Sequence, residues 1–138
     1  MKSKEFDRKK IFSRIQDFLS KEEFMVFAYL HGTFASEDEF NDIDIALYID
    51  DKVIKKIAPT EFEISWSLRL EKYLNLPVDV KILNDAPLSF RYHATQGILL
   101  FCRNEIIREE FLCRTWSEYL DFRPVSRIYL EETFHAPV

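Results

Sequence analysis

Asn41-Asp42-Ile43-Asp44-Ile45-Ala46-Leu47-Tyr48-Ile49-Asp50 is the stretch on which the reading of this chain turns. Ile43, Ile45, Leu47 and Ile49 alternate with Asp42, Asp44, Ala46 and Tyr48, the period of a strand with one buried face. Asp42 and Asp44 then project together from the face that the isoleucines avoid. At a rise of about 3.3 Å per residue the two carboxylates lie about 6.6 Å apart along the strand, within reach of a shared divalent cation. Oxygen ligands without a cysteine or histidine cluster suit magnesium or manganese better than zinc.

Upstream, residues 24–30 (F-M-V-F-A-Y-L) form a continuous apolar run short enough for a buried strand, and it leads straight into His31-Gly32-Thr33. Downstream, Leu76-Pro77-Val78-Asp79-Val80-Lys81-Ile82-Leu83 alternates again, with Val78, Val80 and Ile82 on one side and Asp79 and Lys81 on the other. Set beside the first acidic strand, it brings Asp79 to the same open face. Three carboxylates on one surface repel one another unless a cation is present, so the arrangement is costly as scaffold alone. An isolated Asp-x-Asp pair is commonly just a solvated strand end; the combination with Gly32-Thr33 and Asp79 is what points to a metal-bound nucleotide. Lys81 shares the Asp79 face, where it either pairs with that carboxylate or meets a phosphate. His31 adjoins the glycine turn, and it either touches phosphate or is simply hydrogen-bonded at a strand end.

The remaining elements follow from periodicity and punctuation. Ile11, Phe12, Ile15, Phe18 and Leu19 predict an amphipathic helix over roughly the first twenty residues. Thr60-Glu61-Phe62-Glu63, with Pro59 just ahead, has the form of a capping box. Its helix would bury Phe62, Trp66, Leu70, Tyr73 and Leu74 and stop at Asn75. Asn84-Asp85-Ala86-Pro87 signals the start of a short helix running through Tyr92, which Gly97 closes before a strand over residues 98–101. Asn104 caps a longer helix containing Ile107, Phe111, Leu112, Trp116 and Tyr119, and Arg123-Pro124 sets off a short helical tail ending near Phe134. Helices alternating with strands predict an α/β (α+β) fold, a mixed sheet with helices packed on one face, in one domain over residues 1–138.

At 138 residues, 47% apolar and 31% charged, the chain has the balance of a folded domain that encloses a core without staples. A net charge of -5 argues against a protein that lives on nucleic acid, because phosphate binding shows as a basic face. Cys102 and Cys113 lack the spacing of a zinc or redox motif, His93 and His135 lack ligand spacing, and no apolar run approaches the ~18 residues of a membrane span. With no apolar signal segment, a cytoplasmic location with reduced thiols is expected. Trp66, Trp116 and the phenylalanines read as core, with any face left apolar available to a partner.

Gly32-Thr33, Asp42-x-Asp44 and Asp79 together resemble the signature of the DNA polymerase β-like nucleotidyltransferase superfamily: Gly-Ser, a gap, Asp-x-Asp and a later aspartate on a neighbouring strand. Within it the chain resembles the minimal nucleotidyltransferases, the MNT antitoxins paired with HEPN-domain toxins. The run from Pro77 to Pro87, the Gly97-Ile98-Leu99-Leu100-Phe101 strand and Tyr119-Leu120-Asp121-Phe122 carry the likeness beyond the acidic residues, over roughly residues 10 to 130. Two departures stand out. Thr33 replaces the usual serine and keeps its hydroxyl, while Ser36 and Glu37 stand where arginine and glycine are common, in a gap shorter than usual. A phosphate-facing arginine is thereby missing, which bears on turnover more than on metal binding.

The resemblance implies an Mg²⁺-dependent enzyme with two ions held by Asp42, Asp44 and Asp79, and a triphosphate held by Gly32 and Thr33. It implies ATP as donor, transfer of AMP to a tyrosine hydroxyl of a HEPN toxin, and silencing of that toxin's RNase. The partners it implies are therefore the toxin and a nucleotide, with no direct nucleic acid and no membrane. Two alternatives stay open: neutralisation of the toxin by binding alone, and adenylylation of a small molecule.

Overall fold

The computed structural model describes residues 2–32 and 42–122, excepting the side chains of residues 2–7 and 122. Thr33, the substituted loop with Ser36 and Glu37, and the C-terminal tail expected after Arg123 lie outside the described residues. The elements are α1 (Lys2–Ser20), β1 (Met25–His31), β2 (Ile43–Ile49), α2 (Asp51–Ile54), α3 (Pro59–Leu74), β3 (Val78–Ile82), α4 (Leu88–Ala94), β4 (Ile98–Cys102) and α5 (Glu105–Phe122). The strands form one sheet in the order β3-β2-β1-β4. β1 runs antiparallel to both β2 and β4, and β3 lies parallel to β2. A parallel pair needs a long crossover, and α3 supplies it. The mixed α/β class expected from the sequence is the class found.

The helices cover both faces, which corrects the expectation of a single helical layer. On one face, Ile43, Ile45, Leu47 and Ile49 of β2 and Val78, Val80 and Ile82 of β3 pack with Ile15 and Leu19 of α1 and Trp66, Leu70 and Leu74 of α3. On the other, Val26, Phe27 and Tyr29 of β1 and Ala46 and Tyr48 of β2 meet Ala94 of α4 and Phe111 of α5. There Phe27 stacks on Tyr48 at 4.9 Å, and Phe111 packs against both rings. A register shift between Met25 and Phe27 turns Val26 and Phe27 to the same side. The unbroken apolar run of β1 is the mark of a strand buried on both sides, and Ala46 and Tyr48 extend that second apolar face into β2.

Local signals were partly redirected by the tertiary fold. Asn104 caps α5 as expected, its side chain accepting from the Ile107 N–H, and Asn75 ends α3 in the left-handed region at φ 59°. The capping box is corrected: α3 opens with Ala58 at its N-cap and Pro59 in the first turn, so Thr60 lies inside the helix. Glu63 is used elsewhere. The outward N–H groups of Val78, Val80 and Ile82, on the open edge of the sheet, donate to Glu71 Oε1 (3.2 Å), Ser67 Oγ (2.9 Å) and Glu63 Oε2 (2.7 Å). Side chains four apart on α3 thus close an edge that would otherwise recruit another strand. Asn84 also differs from expectation: it exchanges hydrogen bonds with the Ile49 backbone and seals the end of β2, while α4 starts after Pro87 without a side-chain cap. Tyr73, expected in the stripe, is exposed.

Two contacts join distant parts of the chain. The Arg103 guanidinium donates to the carbonyls of Ser20, Glu22 and Met25 and satisfies the C-terminal end of α1. Gly97 lies so close to β1 that a Cβ there would meet the Leu30 carbonyl oxygen and the His31 Cβ. Gly97→Ala is therefore expected to destabilise the fold by about 1–3 kcal/mol, the range of an overpacked contact. Ser67→Ala, which strips the acceptor from the Val80 N–H, is expected to cost about 1 kcal/mol. Urea unfolding of each variant checks both, and a midpoint unchanged from wild type would remove the corresponding contact from the account.

Candidate active site

The register of the sheet builds one row across three strands. His31 of β1 pairs with Asp44 of β2, and Asp44 pairs with Asp79 of β3. Because neighbouring strands sit about 4.8 Å apart and paired residues share a face, Asp44 and Asp79 stand side by side. Asp42 precedes β2 and is exposed; Asp44 is half-buried and Asp79 exposed. The next row holds Tyr29, Ala46 and Lys81, and the rest of this face is sealed by the second core. The acidic row is thus the end of the face that the helices leave uncovered.

Gly32 completes the turn after β1. Its φ is 76°, a left-handed conformation that side chains resist, and a Cβ at this position would collide with Asp44 Oδ2. The glycine is needed twice, for its backbone angle and for the room it leaves the carboxylate. Thr33, expected beside it on a phosphate, lies outside the described residues.

The electrostatics carry the signature of crowded acids. Burial, then the neighbouring charges of Asp42 and Asp79, push the Asp44 carboxyl above its ordinary range. Lys81 Nζ stands 4.0 Å from Asp79 Oδ1, so the lysine offsets part of this negative charge. His31 is held below the usual imidazole value by burial, with Asp79 opposing. Its ring meets Phe90 edge-on at 5.5 Å, and its Nε2 has no hydrogen-bond partner among the described residues. Burial thus favours its neutral form, with the ring packed against Phe90.

The donor chemistry is that of a hard-cation site: oxygen ligands only, whose mutual repulsion a cation relieves. Among the described residues no three His, Cys, Asp or Glu side chains close into a ready-made ligand cluster. The carboxylates share a face and feel one another's charge, with Asp79 turned toward Lys81.

Sequence reasoning missed what surrounds the row. Phe90 and Gly97 both pack closely on His31, a meeting that no local spacing predicts. A cavity of ≈ 450 Å³ lies beside β3, lined by Ile82, Ala86, Pro87 and Phe90 among others, with Lys81 also on its wall. It assembles from β3, the following loop, α4 and the start of α3, elements whose convergence no local spacing announces.

Comparison with known proteins agrees with this geometry. No curated protein matches the sequence. Among solved structures, a chain of a toxin–antitoxin complex determined with AMP-PNP superposes with a TM-score of 0.69 at 20% identity, over 89% of this chain and 98% of that chain. A chain of the toxin–antitoxin pair MntA-HepT matches with a TM-score of 0.62 at 21% identity, over 94% and 98%. A chain from the tri-AMPylated Shewanella oneidensis HEPN toxin in complex with MNT antitoxin matches with a TM-score of 0.62 at 20% identity, over 95% and 98%. These likenesses establish a shared fold. Residues 13–106, more than half of the chain, match the family model described as polymerase beta, nucleotidyltransferase, and the chain belongs to that family.

Proposed function

We propose that this chain is a minimal nucleotidyltransferase that transfers AMP from ATP to a tyrosine hydroxyl of a HEPN-type toxin and acts as its antitoxin. The observation that carries this reading is the pairing of Asp44 with Asp79 on adjacent parallel strands, with Gly32 set against Asp44. The similar complexes add to it: one holds AMP-PNP, an analogue of ATP, and in another the HEPN toxin is tri-AMPylated. Those chains are matched over 98% of their length and come from toxin–antitoxin complexes. A protein partner then presents the acceptor. No helix among the described residues is long and apolar enough to cross a membrane, and we place the reaction in the cytoplasm.

In this mechanism Gly32 and Thr33 would hold the triphosphate through backbone amides, and Asp42, Asp44 and Asp79 would hold magnesium. When bound, the metal supplies charge neutralisation at the reacting phosphate and at the leaving pyrophosphate. Asp79 takes the proton of the attacking hydroxyl. The hydroxyl oxygen forms a new bond to the α-phosphorus as the bond to pyrophosphate breaks, and pyrophosphate leaves with that electron pair. His31, whose burial favours the neutral imidazole, stands next to Asp44 in the row.

The test is incubation of the purified chain with ATP labelled in its α-phosphate, magnesium and the HEPN toxin expressed with it. Label is expected on the toxin, absent with Asp44→Ala, and slowed about 10²–10⁴-fold by Asp79→Asn, the usual span of a positioned proton acceptor. Complex formation and inhibition without label would show a protein that neutralises by occupation alone. Label on a small molecule with no protein partner would move the acceptor.

Burial of the Asp44 carboxyl, with the neighbouring charges of Asp42 and Asp79, has a stability consequence of definite sign. The folded pKa of Asp44 lies above its unfolded value, so the stability this group contributes is present below the unfolded pKa and lost as pH rises through the folded pKa. In metal-free protein at neutral pH, Asp44→Asn is expected to raise the melting temperature by a few degrees while transfer is lost. Thermal melts across pH check this; a variant that melts below wild type at neutral pH and without metal would show that burial and neighbouring charge do not load Asp44.

A further inference from the structure

We propose that the cavity beside β3 receives the aromatic ring of the acceptor, so that the partner's tyrosine inserts between Pro87 and Phe90 with its hydroxyl directed at Asp79. This assignment rests on the transfer reading above and names the feature of the partner that the site would recognise. Three observations support it.

The first is position along the reaction axis. In an in-line displacement the attacking oxygen enters opposite the leaving pyrophosphate. Gly32 places the phosphate-binding turn at the β1 side of the row, and the sheet order puts Asp79 at the far side, on the edge strand. The acceptor must therefore approach over β3. The cavity lies there, with Lys81 on its wall 4.0 Å from Asp79 and Phe90 in contact with His31 of the same row.

The second is shape and lining. At ≈ 450 Å³ the space is within the range of small-ligand pockets. Its wall is largely apolar, from Ile82, Ala86, Pro87 and Phe90, which suits a flat ring that buries its faces and keeps one polar tip. A polyphosphate would gain nothing from such a wall, and the carboxylates of Glu63 and Asp85 on it would oppose one.

The third is charge complementarity at the mouth. A phenol losing its proton to Asp79 builds negative charge on its oxygen while the new bond to phosphorus forms. Lys81, half-exposed beside Asp79, is the cation in place to meet that charge. Its pairing with Asp79 then becomes a way of holding the ammonium where the phenol oxygen arrives, and Lys81 acts as a catalytic residue in this step.

The experiment fills the cavity in the full chain with Ala86→Phe and compares it with wild type. Toxin labelling is measured over a range of toxin and ATP concentrations, and AMP-PNP binding is measured by calorimetry. The expected result is a KM for the toxin raised about tenfold or more, with AMP-PNP affinity held within about twofold, which also shows that the variant is folded. Lys81→Met is expected to lower kcat, with partial rescue by Lys81→Arg. Weakened AMP-PNP binding at an unchanged toxin KM would assign the cavity to the nucleoside and overturn the proposal. No change in either quantity would also overturn it. A wild-type chain that binds AMP-PNP yet labels no toxin would instead sink the transfer reading, and this assignment with it.

Discussion

The parallel pairing of β2 with β3 is the constraint on which the site depends. It sets Asp44 opposite Asp79 at the separation of adjacent strands, and it does so through the core beneath them. Ile43, Ile45 and Leu47 and their partners Val78, Val80 and Ile82 point into one hydrophobic layer. Because side chains alternate, a slip of one residue would turn Asp79 and Lys81 into that layer and the valines into water. Burying a charged pair without partners costs far more than any rearrangement could return. The packing that stabilises the domain therefore also aligns the carboxylates.

Other features protect this register. β3 is an edge strand, and edges slip or recruit neighbours when their amides are open. Glu63, Ser67 and Glu71 occupy those amides from α3, the helix that connects the two parallel strands. Asn84 closes the end of β2 against the exit of β3. The local hydrogen-bonding chemistry of the crossover thus locks the pair it joins. On the second face, α4 and α5 cover the second core and α4 reaches His31 through Phe90, while Asp79 and Lys81 stay exposed among the described residues. Burial, and after it the charges of Asp42 and Asp79, leave the half-buried Asp44 carboxyl under electrostatic load in this row.

The placement of the reactive row at the sheet's end also gives it a direction. Gly32 and its turn lie at the β1 side and Asp79 at the β3 side, so the proposed transfer would take donor and acceptor from opposite flanks. The matching chains come from toxin–antitoxin complexes.

The acidic strand, the edge strand and the left-handed glycine were legible in the sequence because each is a local matter. Alternation over residues 43–49 and 78–82 reports which side chains are buried, and Gly32 and Asn75 mark turns that their own backbones require. From these alone Asp42, Asp44 and Asp79 could be assigned to one face. What the tertiary structure decided is what depends on distant segments: that the second face is covered, that Glu63 serves β3 and not its own helix, that Asn84 seals β2, that Gly97 presses on β1, and that a cavity opens beside Lys81 and Phe90. Periodicity records whether a side chain meets water. It does not record which remote atom takes water's place, and that depends on close packing among elements far apart in the chain.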